Sequence, residues 1–227
     1  MAKFEIKTRD LMHYVEITLE NESVRTESGI GRYWRGDITM TNPMPTVGGM
    51  LKSAITGNKV MRPVYTGTGL LQLVPRFHEF VEIDLKGNKV VLEKGAYWAS
   101  DIGVEVDAFV NKMSAGLLSG EGFIQTAVSG TGIVIACSPG PIEVIDLKNE
   151  RLVLDGAYAV ARSSGLSYTV QRSTRSFFGT VASGEGLVQV VEGSGRVYLS
   201  SIPNHTVALE QVIISGVIDA LTPRQQG

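Results

Sequence analysis

One cysteine, Cys137, stands in 227 residues, so no internal disulfide can brace the fold. Its neighbours Val134, Ile135 and Ala136 mark it as a buried strand thiol rather than a nucleophile. No apolar run reaches the ~18 residues that a membrane helix needs. The nearest candidate, Val207 to Leu221, is broken by Glu210 and Asp219, and the start Met1-Ala2-Lys3-Phe4-Glu5-Ile6 carries no signal-peptide pattern. The expectation is a cytoplasmic chain without membrane insertion. An excess of one charge is missing too: 21 basic residues meet 23 acidic ones, a formal net charge of −2. Nucleic-acid binders draw most of their affinity from phosphate contacts, so this balance disfavours a nucleic-acid partner.

Proline is scarce at 8 residues while glycine is abundant at 26, and the glycines are scattered, as many tight turns require. Apolar and polar residues alternate at Val81, Ile83 and Leu85 against Glu82, Asp84 and Lys86, the period of a half-buried strand. Gly87-Asn88 reads as a hairpin turn before Val90 to Leu92. The run Val104 to Val110 alternates in the same way, and Ser129-Gly130-Thr131-Gly132 reads as a turn between two strands. Met113 to Leu118 and Ser176 to Val181 read as short helical or looped connections.

These patterns recur. Val81 to Leu92 followed by Gly95-Ala96-Tyr97-Trp98 returns as Val144 to Leu154 followed by Gly156-Ala157-Tyr158-Ala159. A more diverged copy runs from Val15-Glu16-Ile17-Thr18-Leu19 to Gly31-Arg32-Tyr33-Trp34. Gly67-Thr68-Gly69, Gly130-Thr131-Gly132 and Gly193-Ser194-Gly195 form a second landmark, spaced 63 residues apart each time. The reading is an all-β fold of three internal repeats, each a β-sandwich or double-stranded β-helix-like unit, over residues 1–74, 75–137 and 138–227, the last including a C-terminal tail. A unit of roughly 65 residues buries little core alone, so neighbouring units are expected to pack edge to edge. Closing such edges by ring formation points to a symmetric oligomer.

Chemistry is hard to find in these residues. The Gly-x-Gly motifs lack the strand, helix and lysine context of phosphate loops and serve as turns. His13, His78 and His205 lie far apart, and no His-x-His pair suggests a metal site. No Gly-x-Ser-x-Gly elbow is present. Glu82 and Asp84 share the polar face of an alternating strand. Arg76, His78 and Glu79 form the best candidate surface site, with a solvated strand entrance as the competing reading. Tyr33-Trp34 and Tyr97-Trp98, each with an aspartate three residues on (Asp37 and Asp101), read as packing between units, with stacking of a base or ligand as the competing reading. No catalytic residue, metal or cofactor is expected.

The segments Met50-Leu51 through Gly69, Ser119-Gly120-Glu121-Gly122-Phe123 through Gly132, and Ser183-Gly184-Glu185-Gly186-Leu187 through Leu199 carry a resemblance. From Phe4 to about Ala208 the chain is similar to uncharacterised bacterial and archaeal relatives of the mitochondrial "altered inheritance of mitochondria" biogenesis protein. That resemblance implies a fold like the subunit of the tryptophan RNA-binding attenuation protein, repeated three times per chain. It further implies three chains in a ring of about nine units. No catalytic residue carries over. The link of the mitochondrial relatives to inner-membrane organisation suggests a non-enzymatic oligomeric scaffold or binding protein with a membrane-associated partner. Small-ligand or RNA binding in clefts between repeats is the alternative.

Overall fold

The alternating segments become strands in a computed structural model that describes residues 1–43, 62–111, 123–172 and 187–205. The expected connections at Met113 to Leu118 and Ser176 to Val181 lie outside these residues. So do the glycine motifs at Gly57, at Gly120 to Gly122 and at Gly184 to Gly186, and the apolar run from Val207.

The strands are β1 (Lys3–Arg9), β2 (Met12–Thr26), β3 (Gly31–Thr41), β4 (Val64–Leu73), β5 (Glu79–Asp84), β6 (Lys89–Leu92) and β7 (Tyr97–Asp101). They continue as β8 (Val104–Asn111), β9 (Phe123–Gly130), β10 (Ile133–Ser138), β11 (Ile142–Asp155), β12 (Ala159–Ser163), β13 (Ser167–Arg172) and β14 (Leu187–Ser200). The protein is all-β, with two antiparallel seven-stranded sheets among the described residues. One runs β3-β4-β2-β7-β10-β5 with β1 beside β2; the other runs β11-β14-β12-β6-β9-β8 with β13 beside β14. Neither sheet closes into a barrel.

Three groups of strands pair alike. In the first, β4 lies between β2 and β3. In the third, β14 lies between β11 and the pair β12 and β13. In the second, the central strand is broken into β9 and β10, flanked by β6 and β8 in one sheet and by β5 and β7 in the other. Two turn expectations are corrected by this pairing. β5 does not fold back on β6 through Gly87-Asn88, and β9 does not fold back on β10 through Gly130-Thr131-Gly132. Each pair instead forms one strand that kinks and crosses from one sheet to the other. A kink and a hairpin need the same left-handed backbone, so glycine alone could not distinguish them.

A non-glycine residue with left-handed backbone marks the kink in all three groups. Asn21 in β2 and Asn149 in β11 sit in β-bulges with φ of 58° and 57°, and Lys86 has φ of 47° between β5 and β6. Asn21 N–H donates to Thr68 Oγ1 at 2.9 Å, and Asn149 N–H donates to Ser194 Oγ at 2.8 Å. The Gly-Thr-Gly and Gly-Ser-Gly motifs thus supply a hydroxyl that satisfies the bulged amide, which would otherwise lack a ladder partner. Gly67 and Gly69 have φ of 138° and 152°. An added Cβ would overlap the carbonyl oxygen of Asp37 at the first and of Arg35 at the second. Only glycine lets β3 and β4 approach so closely at the bend.

Three apolar cores follow the groups. The first, around Val15, Ile17, Leu19, Val24, Leu71 and Leu73, also takes in Phe80, Trp98, Ala99 and Ile135 from the second group. The second, around Leu85, Leu92, Val104, Val128 and Val134, takes in Val160, Ala161 and Tyr198 from the third. Among the described residues the third core, with Leu147, Leu154, Leu166, Val191 and Val197, is drawn from its own group.

Candidate functional site

The residues singled out from the sequence meet where the first two groups join. Arg76, between β4 and β5, pairs with His13 on β2, each amide donating to the other's carbonyl at 2.8 Å. His13 Nδ1 donates to the His78 carbonyl at 3.1 Å and lies 3.5 Å from Glu79 Oε1. The Arg76 guanidinium sits 5.4 Å over the ring of Trp98, which in turn meets Phe80. Arg76, His78 and Glu79 are therefore brought together, joined by His13, which sequence distance had hidden. Burial first, and then the Arg76 charge, pushes the His78 pKa down. Cys137 is a buried strand thiol on β10 whose pKa is pushed up to about 12 by burial, so it is no nucleophile near neutral pH. No group of three metal-ligating side chains occurs among the described residues.

Ladder register separates the two aromatic pairs. Gly31 lies opposite Leu73, Tyr97 opposite Ala136 and Ala159 opposite Leu199, and a bulge follows each of the three. Tyr33-Trp34 thus occupies the ladder places of Ala99-Ser100 rather than those of Tyr97-Trp98. Tyr97 and Trp98 are buried, whereas Tyr33 and Trp34 are 42% and 41% exposed. The Tyr97 hydroxyl meets Ser100 Oγ at 2.9 Å, and burial pushes its pKa up to about 12.

A buried polar cluster that the sequence reading missed lies between the second and third groups. Arg162 Nη1 on β12 lies 3.4 Å from Glu93 Oε1, just past β6, and both side chains are almost completely enclosed. Gln125 on β9 joins them, its amide donating to Glu93 while its carbonyl accepts from Arg162 Nη2 at 2.8 Å. The guanidinium stacks on Tyr168 at 4.1 Å. Burial raises the Glu93 pKa, opposed by Arg162, Gln125 and Tyr168. Glu93 Oε2 and Arg162 Nε have no hydrogen-bond partner among the described residues. The available signal was a charge ending each of the apolar runs Val90-Val91-Leu92 and Ala159-Val160-Ala161.

Two short ladders join the groups. β2 pairs with β7 as Val24↔Asp101, Arg25↔Ser100 and Thr26↔Ala99. β6 pairs with β12 as Val90↔Ser163, Val91↔Arg162 and Leu92↔Ala161. Each joins the end of one group's first strand to the start of the next group's second strand. Among the described residues the sheets end on β3 and β5 and on β11 and β8. Of these, β3 holds a second-strand start and β11 a first-strand end that no junction of this kind uses. An open groove of about 490 Å³ lies along the β3 side of the first bend, between Thr18-Leu19-Glu20, Arg35-Gly36 and Thr68-Gly69-Leu70.

No described helix is long and apolar enough to cross a membrane. An uncharacterized protein of Streptococcus pyogenes serotype M6 is 27% identical over 202 residues, which span 83% of this chain and 81% of that protein. The crystal structure of a Streptococcus pyogenes protein superposes with a TM-score of 0.71 at 24% identity, covering 98% of this chain and all of that one. It shares the fold. The profile of the mitochondrial biogenesis AIM24 family matches residues 4–202, and the chain belongs to that family.

Proposed function

We propose that this protein is a non-enzymatic scaffold or binding protein that works as a homo-oligomer. In this reading the chain is an internal triplication of one three-stranded unit, and three chains join head to tail into a ring. The observation that carries it is the strand order. Each sheet runs second, third, first strand of one group, then second, third, first strand of another. Among the described residues that order leaves second strands at the edges at β3 and β8 and first strands at β5 and β11. The junctions within the chain use the end of a first strand and the start of a second, and the unused ones lie on β11 and β3. A head-to-tail contact of this type repeats from copy to copy, and the reading has it close after three chains.

Several of the groups that could do chemistry are engaged elsewhere: Glu93 and Arg162 with each other, His13 with the His78 carbonyl, and Cys137 inside the core. This supports binding rather than catalysis. The faces of the ring would hold a protein partner, a membrane-associated one in this reading. Sedimentation velocity over a wide range of concentration tests the assembly. A single species of three chains supports it, and a lone chain at every concentration refutes it.

A further inference from the structure

From the ladders within the chain we infer the register of the contact between copies: β11 of one copy pairs antiparallel with β3 of the next, as Leu152↔Arg35, Val153↔Trp34 and Leu154↔Tyr33. This inference rests on the homo-oligomer reading and specifies its partner surface. Val24, Val90 and Leu152 hold the same ladder place, opposite Tyr65, Val128 and Val191 on their own central strands. Within the chain, Val24 meets Asp101 and Val90 meets Ser163. The position on β3 that corresponds to Asp101 and Ser163 is Arg35, opposite Leu70. Antiparallel pairing then sets the other two pairs.

Burial supports the same pairs. Val91 and Arg162, partners in the second junction, are 0% and 2% exposed, while Val153 and Trp34 stand at 44% and 41%. The first two cores are each capped by a following group, through Trp98-Ala99 and Val160-Ala161. Among the described residues the third core has no such cap, and Tyr33 of the next copy falls at the place of Ala99 and Ala161. Charge also matches. β11 carries Glu143, Asp146, Glu150 and Asp155 against Lys148 and Arg151, a net of −2, while β3 carries Arg32 and Arg35 against Asp37, a net of +1. Long unpaired edges of this kind are templates for pairing.

The test uses the full chain with Cys137→Ala, Arg35→Cys and Leu152→Cys, oxidised and run on a non-reducing gel. Glu27 N–H donates to the Trp98 carbonyl in the first junction, which makes Val24↔Asp101 a non-hydrogen-bonded pair. Such pairs hold their Cα atoms ~4.5 Å apart, within reach of a disulfide. A control with Arg35→Cys and Glu150→Cys moves the partner two residues along the same face, to roughly 7–8 Å. Covalent multimers should form about tenfold more readily in the first variant than in the control, given those spacings. Light scattering on the parent protein accompanies the gel. A multimer in solution that cross-links preferentially in the control, or in neither variant, overturns the register while leaving the oligomer standing. A lone chain in solution, or a disulfide confined within one chain, overturns the contact and the oligomer reading together.

Discussion

Removing Arg162 isolates a carboxylate in the dry interior of the second junction. Glu93 is almost fully enclosed, and with Arg162→Leu it keeps only the Gln125 amide and Tyr168 against the cost of burial. Breaking a buried pair from one side costs about 3–5 kcal/mol, because the remaining charge has lost its counter-ion. The pair itself is a single contact of 3.4 Å, and Glu93 Oε2 and Arg162 Nε find no hydrogen-bond partner among the described residues. Its attraction therefore offsets little more than the desolvation of its two members. Glu93→Leu combined with Arg162→Leu should consequently sit within about 1–2 kcal/mol of the parent. Urea unfolding at one fixed chain concentration measures both single variants and the double. The expected coupling is at least about 2 kcal/mol, with the double variant more stable than Arg162→Leu alone. Additive losses would show that the two side chains stabilise the junction independently, and the argument from an isolated charge would be wrong.

Four more outcomes follow from the same geometry. In Arg162→Leu the folded-state pKa of Glu93 lies above its ordinary 4.5 because of burial, so the folded state holds the proton more tightly. Stability of that variant should fall as pH rises above about 4.5 and level off beyond the raised value, which melting temperatures across pH would record. Gly67→Ala meets both the Asp37 carbonyl and a φ of 138°, and should cost about 2–4 kcal/mol. Gly87→Ala, at φ 83° in open space, should cost only about 1 kcal/mol, and equal losses would refute the close-approach account of the bend. The Cys137 thiol, raised to about 12 by burial, should resist a thiol reagent at neutral pH in the native protein and react as a single equivalent in denaturant. In the first junction Thr26 N–H donates to the carbonyl of Pro63, just before β4, so the N–H of Arg25 faces β7; at the matching place, Val153 N–H faces outward. Val153→Pro should therefore leave the β11–β14 ladder intact while weakening assembly roughly fivefold to tenfold, the loss of one ladder bond of about 1 kcal/mol.

The all-β class and the strand segments were legible in the sequence because alternation reports directly on half-buried strands. The spacing of the Gly-Thr-Gly and Gly-Ser-Gly motifs was legible too, since each of their glycines holds a positive φ that other residues rarely adopt. The role of that motif was not. A hairpin and a sheet-crossing kink both demand left-handed backbone at Gly87 or Gly130, and their difference lies in which distant strand pairs with each arm. Tyr33 and Tyr97 looked equivalent by residue type, but bulges at Arg32, Trp98 and Val160 set the ladder, and the ladder places Tyr33 with Ala99. His13 joined the Arg76, His78 and Glu79 site through a backbone bridge across many residues, which no local pattern reports. Glu93 and Arg162 each carry a strand-end charge that looks solvent-facing, and only the pairing of β6 with β12 buries them against one another.

The central claim is that the free β3 and β11 edges join separate copies. Absolute mass by light scattering after size exclusion, on the parent and Val153→Pro over the same concentrations, tests it most directly. The account predicts about three times the 24.4 kDa chain mass for the parent and a shift toward single chains for the variant. A parent mass of one chain at every concentration, or a trimer indifferent to Val153→Pro, would contradict it.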